Sequence, residues 1–174
     1  MNIDWTKPLI IMSAAFKEVF LRMDGKGITA SNGSGAGTVN CQKVLTETCA
    51  FKAKNVKDNV FTFESMIYPN VFLRMDGSNV KTKTGSGAGT VNCQYGAQEW
   101  ERFKLHKHQD GYYTIESDAF PNVYLRMDGS NPKGKDKDFG IVNCQFTANS
   151  YERFYIFNMP GPGMVGKFLE ELRK

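Results

Sequence analysis

A seven-residue motif, which we call the first phrase, occurs three times along the chain, and this repeat constrains the fold more than any other feature. Its copies are Val19-Phe20-Leu21-Arg22-Met23-Asp24-Gly25, Val71-Phe72-Leu73-Arg74-Met75-Asp76-Gly77 and Val123-Tyr124-Leu125-Arg126-Met127-Asp128-Gly129. A second phrase, Val-Asn-Cys-Gln, follows each copy and begins at Val39, Val91 and Val142. The leucines of the first phrase are 52 positions apart in both intervals. A fixed period of this size is typical of one structural unit repeated three times.

Each unit has the pattern of four short β-strands separated by turn residues. The units span about residues 7–57, 58–109 and 110–158. In the first phrase, an alternation with a period of two places Leu21 and Met23 on the core face and Arg22 on the opposite face. In the second repeat, we expect the fourth strand to begin at Trp100 and to carry Phe103 inward.

Twelve strands in a threefold repeat predict an all-β fold of the β-trefoil type, with four strands in each repeat of about 52 residues. We expect six strands to close a barrel and the other six to form hairpins that cap it. Closure would leave no free strand edge for aggregation. The three repeats are predicted to form a single domain over residues 1–158.

The last residues, 159–174, differ from the repeats. A Pro/Gly linker is followed by apolar residues at helical spacing, namely Val165, Phe168, Leu169 and Leu172. This spacing predicts a short amphipathic helix. We expect the helix to dock on the chain's own barrel, with Trp5 packed near it. A partner protein, a homodimer contact with a second copy, and disorder are the alternatives.

Composition limits the class of protein more than its activity. The 174 residues carry a net charge of +4, which permits an anionic partner without requiring one, and we expect no nucleic acid partner. No stretch is long and apolar enough for a membrane span, and the N-terminus lacks the pattern of a signal peptide. These features predict a cytoplasmic protein, with secretion by an unconventional route left open.

The cysteines are predicted to be unpaired. Cys41, Cys93 and Cys144 occupy the same place in successive repeats, so they should lie at separated, equivalent positions where no disulfide forms. We interpret them as small buried residues of a protein in a reducing compartment. Cys49 aligns with Glu101 and Glu152, so we expect it to face outward as a free thiol.

Catalytic and metal-binding patterns are weak. The two histidines, His106 and His108, are predicted to lie on the surface of a hairpin, and their spacing suggests no Ser-His-Asp or Cys-His arrangement. The Asp-Gly turns lack the other ligands of a calcium loop, and the Gly-rich loops lack the Gly-Lys-Ser/Thr of a phosphate loop. We therefore predict a non-enzymatic protein with no metal or other cofactor.

Polar side chains recur at the same offsets in all three repeats, and they are the strongest candidates for ligand binding. Strand alternation places them outward, where core packing does not select their identity. They are Arg22, Asp24, Asn40, Gln42, Arg74, Asp76, Asn92, Gln94, Arg126, Asp128, Asn143 and Gln145. In one interpretation they are structural: Arg pairs with Asp, Asp opens a turn, and the amides satisfy backbone groups of the loops.

In the other interpretation, these side chains line three related sugar-binding pockets. Carboxylates and amides match the donors and acceptors of sugar hydroxyls, and Phe20, Phe72 and Tyr124 would add an apolar face. Three weak sites gain avidity for a surface that displays many copies of one glycan.

Lysines in the loops form a second candidate surface. They are Lys26, Lys81, Lys83, Lys133, Lys135 and Lys137. In one interpretation, these lysines only keep the loops solvated. In the other, they form a basic surface at one end of the barrel that binds an anionic partner. Such a basic surface would bind actin or an anionic lipid surface.

The repeats resemble the fascin-like group of β-trefoils. The likeness lies in a Tyr/Phe-Leu strand entry, a Val-Asn strand and a Trp/Tyr-Glu-x-Phe strand that closes each unit, and it covers residues of about 7 to 157. Fascin-like trefoils that bundle actin are tandem arrays, whereas this chain has one trefoil. The segment from Ser65 to Arg74 is also similar to the strand entry of arabinose-binding trefoil modules of glycosidases. Both resemblances imply a binding module.

Our leading hypothesis from the sequence is a carbohydrate-binding, lectin-like β-trefoil with glycans as ligands and up to three related sites. The alternative is a fascin-like module that binds actin or another protein. A third hypothesis is the receptor-binding component of a toxin or defence system.

Overall fold

The computed structural model describes residues 2–130 and 139–174. Its strands are β1 (Leu9–Ser13), β2 (Phe20–Asp24), β3 (Gly37–Gln42), β4 (Phe51–Lys57), β5 (Val60–Ser65), β6 (Val71–Asp76), β7 (Gly89–Tyr95), β8 (Phe103–Lys107), β9 (Tyr113–Ser117), β10 (Val123–Asp128), β11 (Gly140–Phe146) and β12 (Phe154–Asn158). Each repeat also contains a 3₁₀ helix, at Glu47–Cys49, Glu99–Glu101 and Ser150–Glu152. An α-helix, α1, follows at Val165–Arg173.

The strand pairing corrects the fold that we predicted from the sequence. We expected a six-stranded barrel capped by hairpins, with the C-terminal helix as the only further element. Instead, the twelve strands belong to one hydrogen-bonded sheet that closes on itself, and three 3₁₀ helices are added to it. β1, β5 and β9 each pair with the strand that follows, so the hairpins continue the same sheet. The continuity follows from the backbone, whose buried N–H and C=O groups need partners at every strand edge.

The second and third strands of each repeat form a hairpin, and the three hairpins meet around the approximate threefold axis. β3 pairs with β7, β7 with β11, and β11 with β3. Each hairpin therefore contacts both of the others. This arrangement brings the Gly-rich loop of one repeat against the strands of the next.

The repeated Leu and Met residues line the core, as their alternation predicted. The Leu and Met positions are fully buried in all three phrases, at Leu21, Met23, Leu73, Met75, Leu125 and Met127. They belong to one apolar cluster to which all three repeats contribute. The Leu and Met of the phrase therefore recur because all three repeats contribute these side chains to one core.

The fourth strand of the later repeats begins after the position we predicted. Trp100 lies in the 3₁₀ helix Glu99–Glu101, and the strand begins at Phe103. The Glu101 carboxylate accepts a hydrogen bond from the Gln98 backbone N–H at 2.8 Å, which closes the turn at its N-terminus. The pattern Gln98-x-x-Glu101 is thus a capping box and not the start of a strand.

Helix α1 docks on its own domain, as predicted. Its apolar stripe packs on a cluster that includes Ile10, Met12, Phe20, Leu45 and Cys49. The Phe168 and Phe157 rings meet edge to face at 5.4 Å. At the end of the helix, Arg173 Nε donates to Glu18 Oε1 at 2.6 Å. None of the helices in the described ranges has the length and apolar character needed to cross a membrane.

Two expectations about single residues were wrong. Trp5 does not pack near α1; its ring lies 4.9 Å from Phe61 and 6.4 Å from Tyr113. Cys49 is fully buried and does not face outward, because the 3₁₀ helix turns it beneath α1. The four cysteines are unpaired thiols, in agreement with the prediction.

Candidate functional site

The three repeated arginines are more buried than strand alternation predicted. Arg74 and Arg126 are 3% and 5% exposed, so their predicted outward orientation is wrong. The side chain of Arg22 is 15% exposed. Each arginine stands directly opposite an asparagine of the neighbouring strand, and its Nη1 donates to the Oδ1 of that asparagine. The pairs are Arg22 with Asn40 at 3.3 Å, Arg74 with Asn92 at 3.1 Å, and Arg126 with Asn143 at 3.3 Å.

The repeated asparagines also tie one repeat to the preceding one. Asn92 Nδ2 donates to the carbonyl of Ser34 at 3.0 Å, and Asn143 Nδ2 donates to that of Ser86 at 2.9 Å. A side chain at Gly87 would collide with the Asn143 amide, and the Gly87 backbone has a φ of +81°. Glycine in the Gly-Ser-Gly-Ala-Gly loops therefore allows the loop backbone to approach these amides closely.

The repeated glutamines have comparable structural contacts. Gln94 and Gln145 are 4% and 2% exposed, so they too were wrongly predicted to face outward. Gln94 exchanges two hydrogen bonds with Asn32, and Gln145 Oε1 accepts from the Thr84 N–H at 3.1 Å. In the first repeat, Gln42 contacts its own loop instead.

The repeated aspartates shape the turns that follow them. In each, Oδ1 accepts a backbone N–H two residues on, at Lys26, Ser78 and Ser130, over 3.1, 3.1 and 3.0 Å. This is an Asx turn. The Lys26 hydrogen bond and the nearby Arg22 lower the pKa of the Asp24 carboxyl. The aspartates are Asp24, Asp76 and Asp128.

The aromatic residues and loop lysines that we predicted as binding groups differ in their exposure. Phe20 is fully buried, so it offers no face to a ligand, whereas Phe72 and Tyr124 are partly exposed. Among the loop lysines, Lys26, Lys81 and Lys83 are exposed. The remaining three, Lys133, Lys135 and Lys137, lie outside the described residues. Within the described ranges, no cluster of three or more His, Cys, Asp or Glu residues could hold a metal ion.

An aromatic ring and a buried glutamate complete the arginine cluster in two repeats, and strand alternation does not predict this contact. The Arg74 guanidinium lies 4.6 Å from the centre of the Trp100 ring, and its Nε is 3.7 Å from Glu101 Oε1. In the third repeat, Arg126 lies 5.0 Å from the Tyr151 ring and 3.7 Å from Glu152 Oε1. The two clusters are therefore equivalent.

Burial governs the protonation of these glutamates. Glu101 and Glu152 are each 3% exposed, and burial raises the pKa of both carboxyls. A backbone N–H and the neighbouring arginine act in the opposite direction but do not cancel the effect of burial. Each glutamate is thus held by its capping hydrogen bond and its arginine together.

Each cluster forms part of the wall of a surface pocket, which we name pocket A in the second repeat and pocket B in the third. Pocket A has a volume of about 290 Å³ and is lined by Ser31, Gly33, Arg74, Gln94, Tyr95, Gly96, Gln98, Glu99, Trp100 and Glu101. Pocket B has a volume of about 310 Å³ and is lined by Lys83, Gly85, Arg126, Gln145, Asn149, Ser150, Tyr151 and Glu152. All eight residues of pocket B are repeat equivalents of pocket A residues, whereas Tyr95 and Gly96 line pocket A alone, and each lining includes a loop from the preceding repeat.

The first repeat has a different cluster at the equivalent position. Thr48 replaces the aromatic residue and Cys49 replaces the glutamate. Arg22 instead pairs with Asp24 at 3.1 Å, and its guanidinium lies 4.4 Å from the Phe139 ring. The threefold symmetry of the arginine, asparagine and glutamine is therefore broken at the two residues that complete the pocket wall.

A signal for these pockets was present in the sequence. The Trp/Tyr-Glu pair recurs in the second and third repeats and is absent from the first. The sequence pattern also fits the beginning of a strand, which is what we predicted for this pair. The contact with arginine spans at least 25 residues of sequence, so no local pattern predicts it.

The chain has the fold of several solved β-trefoil structures. It matches a mosquitocidal holotoxin with a TM-score of 0.66 and 14% identity, over 92% of this chain but only 18% of that one. It matches ThreeFoil, a designed threefold symmetric protein, with a TM-score of 0.66 and 10% identity, over 90% of this chain and 100% of that one. It matches SeviL bound to the asialo-GM1 saccharide with a TM-score of 0.61 and 11% identity, over 89% and 99%. No protein-family model and no curated protein matches the sequence.

Proposed function

We propose that this protein is a non-enzymatic, lectin-like carbohydrate-binding module with two sites, pockets A and B. The observation that carries the proposal is the pair of repeat-equivalent pockets, each with an aromatic ring beside a buried arginine and glutamate. The sequence alone suggested up to three sites. The first repeat lacks both the aromatic residue and the glutamate, so we assign it no site.

The chemistry of the two pockets suits a hydroxyl-rich ligand. The exposed amides of Gln98 in pocket A and Asn149 in pocket B offer planar donors and acceptors, and the Trp100 or Tyr151 ring adds apolar surface. The arginines are held by an asparagine and a glutamate, so they need little reorganisation when a ligand enters. Preorganised polar groups of this kind favour specific, if weak, binding.

The fold comparison gives independent support for this class of function. SeviL, one of the structures with the same fold, is bound to a saccharide. Two pockets on one chain would gain avidity on a surface that displays many copies of a glycan.

A second candidate is the receptor-binding part of a larger toxin or defence system. It is favoured by the match to a mosquitocidal holotoxin, of which this chain spans 18%. In that setting, pockets A and B would bind glycans on a target cell. The fascin-like alternative stays a prediction, in which the protein co-sediments with filamentous actin and added salt weakens the interaction.

A glycan array followed by titration calorimetry tests the proposed function. We expect the intact protein to bind at least one glycan, and the double variant Trp100→Ala/Tyr151→Ala to lose that binding. Thr48→Ala is the matched control, because it changes the equivalent position of the repeat that has no assigned site. Circular dichroism must show that the double variant remains folded. If the wild-type protein binds no sugar at millimolar concentration, or if Thr48→Ala reduces binding as much as the double variant, the proposal is wrong.

A further inference from the structure

Pockets A and B have the same central cluster but opposite charges at their rims. Each has one buried arginine and one buried glutamate. The rim of pocket A adds Glu99 and Ser31, whereas that of pocket B adds Ser150 and Lys83 at the equivalent positions. Pocket A is therefore lined by one cation and two carboxylates, and pocket B by two cations and one carboxylate.

The lysine of pocket B contacts another residue of the pocket lining. With the Asn149 amide oriented so that both of its ends are satisfied, its oxygen accepts a hydrogen bond from Lys83 Nζ. Lys83 also contributes to the electrostatic field at Glu152, where its charge lowers the pKa of the carboxyl against the effect of burial. The ammonium group thus lies close to the buried cluster, although the Lys83 side chain itself is exposed.

We propose that the two pockets differ in ligand class: pocket B takes an anionic saccharide, one that carries a carboxylate or sulfate, and pocket A takes a neutral one. This inference rests on the proposed carbohydrate-binding function and refines it. In pocket B, Lys83 and Arg126 place two cations near the ligand, and Ser150 removes the carboxylate that would repel it. In pocket A, Glu99 would repel a ligand carboxylate, and Ser31 offers no charge to offset that repulsion.

The difference in affinity should be modest and sensitive to salt. Lys83 and Glu99 are exposed, so solvent screens their interactions with a ligand. An exposed ion pair of this kind changes an affinity by about two- to five-fold. Two sugars that differ only by an acidic group should therefore differ by about that factor, in opposite directions, at the two pockets.

Titration by NMR with matched neutral and acidic sugars tests the inference pocket by pocket. The probes are galactose with galacturonate and glucose with glucuronate. Backbone amides of residues 98–101 report on pocket A and those of residues 149–152 on pocket B, and the Trp100 indole N–H is a second reporter for pocket A. We expect the acidic member of a pair to bind pocket B about two- to five-fold more tightly than the neutral member, with the reverse order at pocket A.

Exchange of the rim charges supplies the control. Lys83→Ser gives pocket B the residue found at the equivalent position of pocket A, and Ser31→Lys does the reverse. The first variant should lose the preference of pocket B for acidic sugars, and the second should weaken the preference of pocket A for neutral ones. Equal binding of acidic and neutral sugars at both pockets, unaltered by these variants, would overturn the charge assignment and leave the carbohydrate-binding function standing. If no probe shifts either set of amides, the carbohydrate-binding function itself fails, and the charge assignment with it.

Discussion

The ion pair beneath Trp100 leads to a quantitative stability prediction. The Arg74 and Glu101 side chains are each 4% exposed, and Nε lies 3.7 Å from Oε1. Glu101→Ala would leave the guanidinium buried without its counter-ion, although Asn92 and Trp100 would still contact it. Removing one partner of a buried pair costs about 3–5 kcal/mol. Because two contacts remain, we expect a loss of about 3–4 kcal/mol, or roughly 6–16 °C in Tm for a chain of this size.

Two further variants separate the charge from the packing at this position. Glu101→Gln keeps an acceptor for the Gln98 N–H, which Glu101 now binds at 2.8 Å, so it should cost less than the alanine variant. Glu99→Ala changes an exposed neighbour and should stay within about 0.5 kcal/mol of the wild-type protein. Urea unfolding, with the m value checked for constancy, measures all three. If Glu101→Ala is no more destabilising than Glu99→Ala, then the pair is not the buried unit described above.

The same pair predicts a particular pH dependence. Burial raises the pKa of Glu101 above its ordinary value of 4.5, so the folded state holds this proton more tightly than the unfolded chain does. The resulting contribution to stability is complete below the unfolded pKa and is lost as pH rises through the folded pKa. Glu101→Gln removes this titration. The wild-type protein should therefore lose stability relative to Glu101→Gln as pH rises above the ordinary carboxyl pKa of 4.5, and a difference that stays constant with pH would refute the assignment.

Three other expectations concern packing and burial. Gly89→Ala would drive a methyl group into Cys144 Sγ and should cost about 2–3 kcal/mol in urea unfolding, whereas Gly85→Ala, which has a φ of +83° but open space, should cost only about 1 kcal/mol. Phe168→Ala removes the contact with Phe157 and should accelerate hydrogen exchange in α1 well before global unfolding. The thiols should resist a thiol reagent at pH 8 in the native protein and react in urea, and rapid native labelling would contradict their burial. They are Cys49, which is fully buried, and Cys41, Cys93 and Cys144, whose pKa values burial raises to about 12.

The candidate site was predictable only in part. The sequence identified arginine, asparagine and glutamine as repeated polar positions. The structure pairs the arginine with the asparagine in each repeat and places the glutamine beside them in pockets A and B. The prediction from the sequence failed on their exposure, because strand alternation takes no account of the 3₁₀ helix that packs against Arg74 or of the loop that contacts Gln94. Trp100 and Glu101 were missed because a 3₁₀ helix, and not a strand, turns them toward Arg74.

The sequence by itself determined the repeat, the inward Leu and Met positions and the docking face of α1. These follow from short-range periodicity, since a buried strand or helix must present apolar side chains at fixed intervals. The tertiary structure decided which polar residues are buried, how the hairpins join one closed sheet, and that two repeats, not three, complete an aromatic and charged pocket. Those features depend on contacts between residues that are far apart in the chain. Their geometry is set only when the three repeats pack around a common axis.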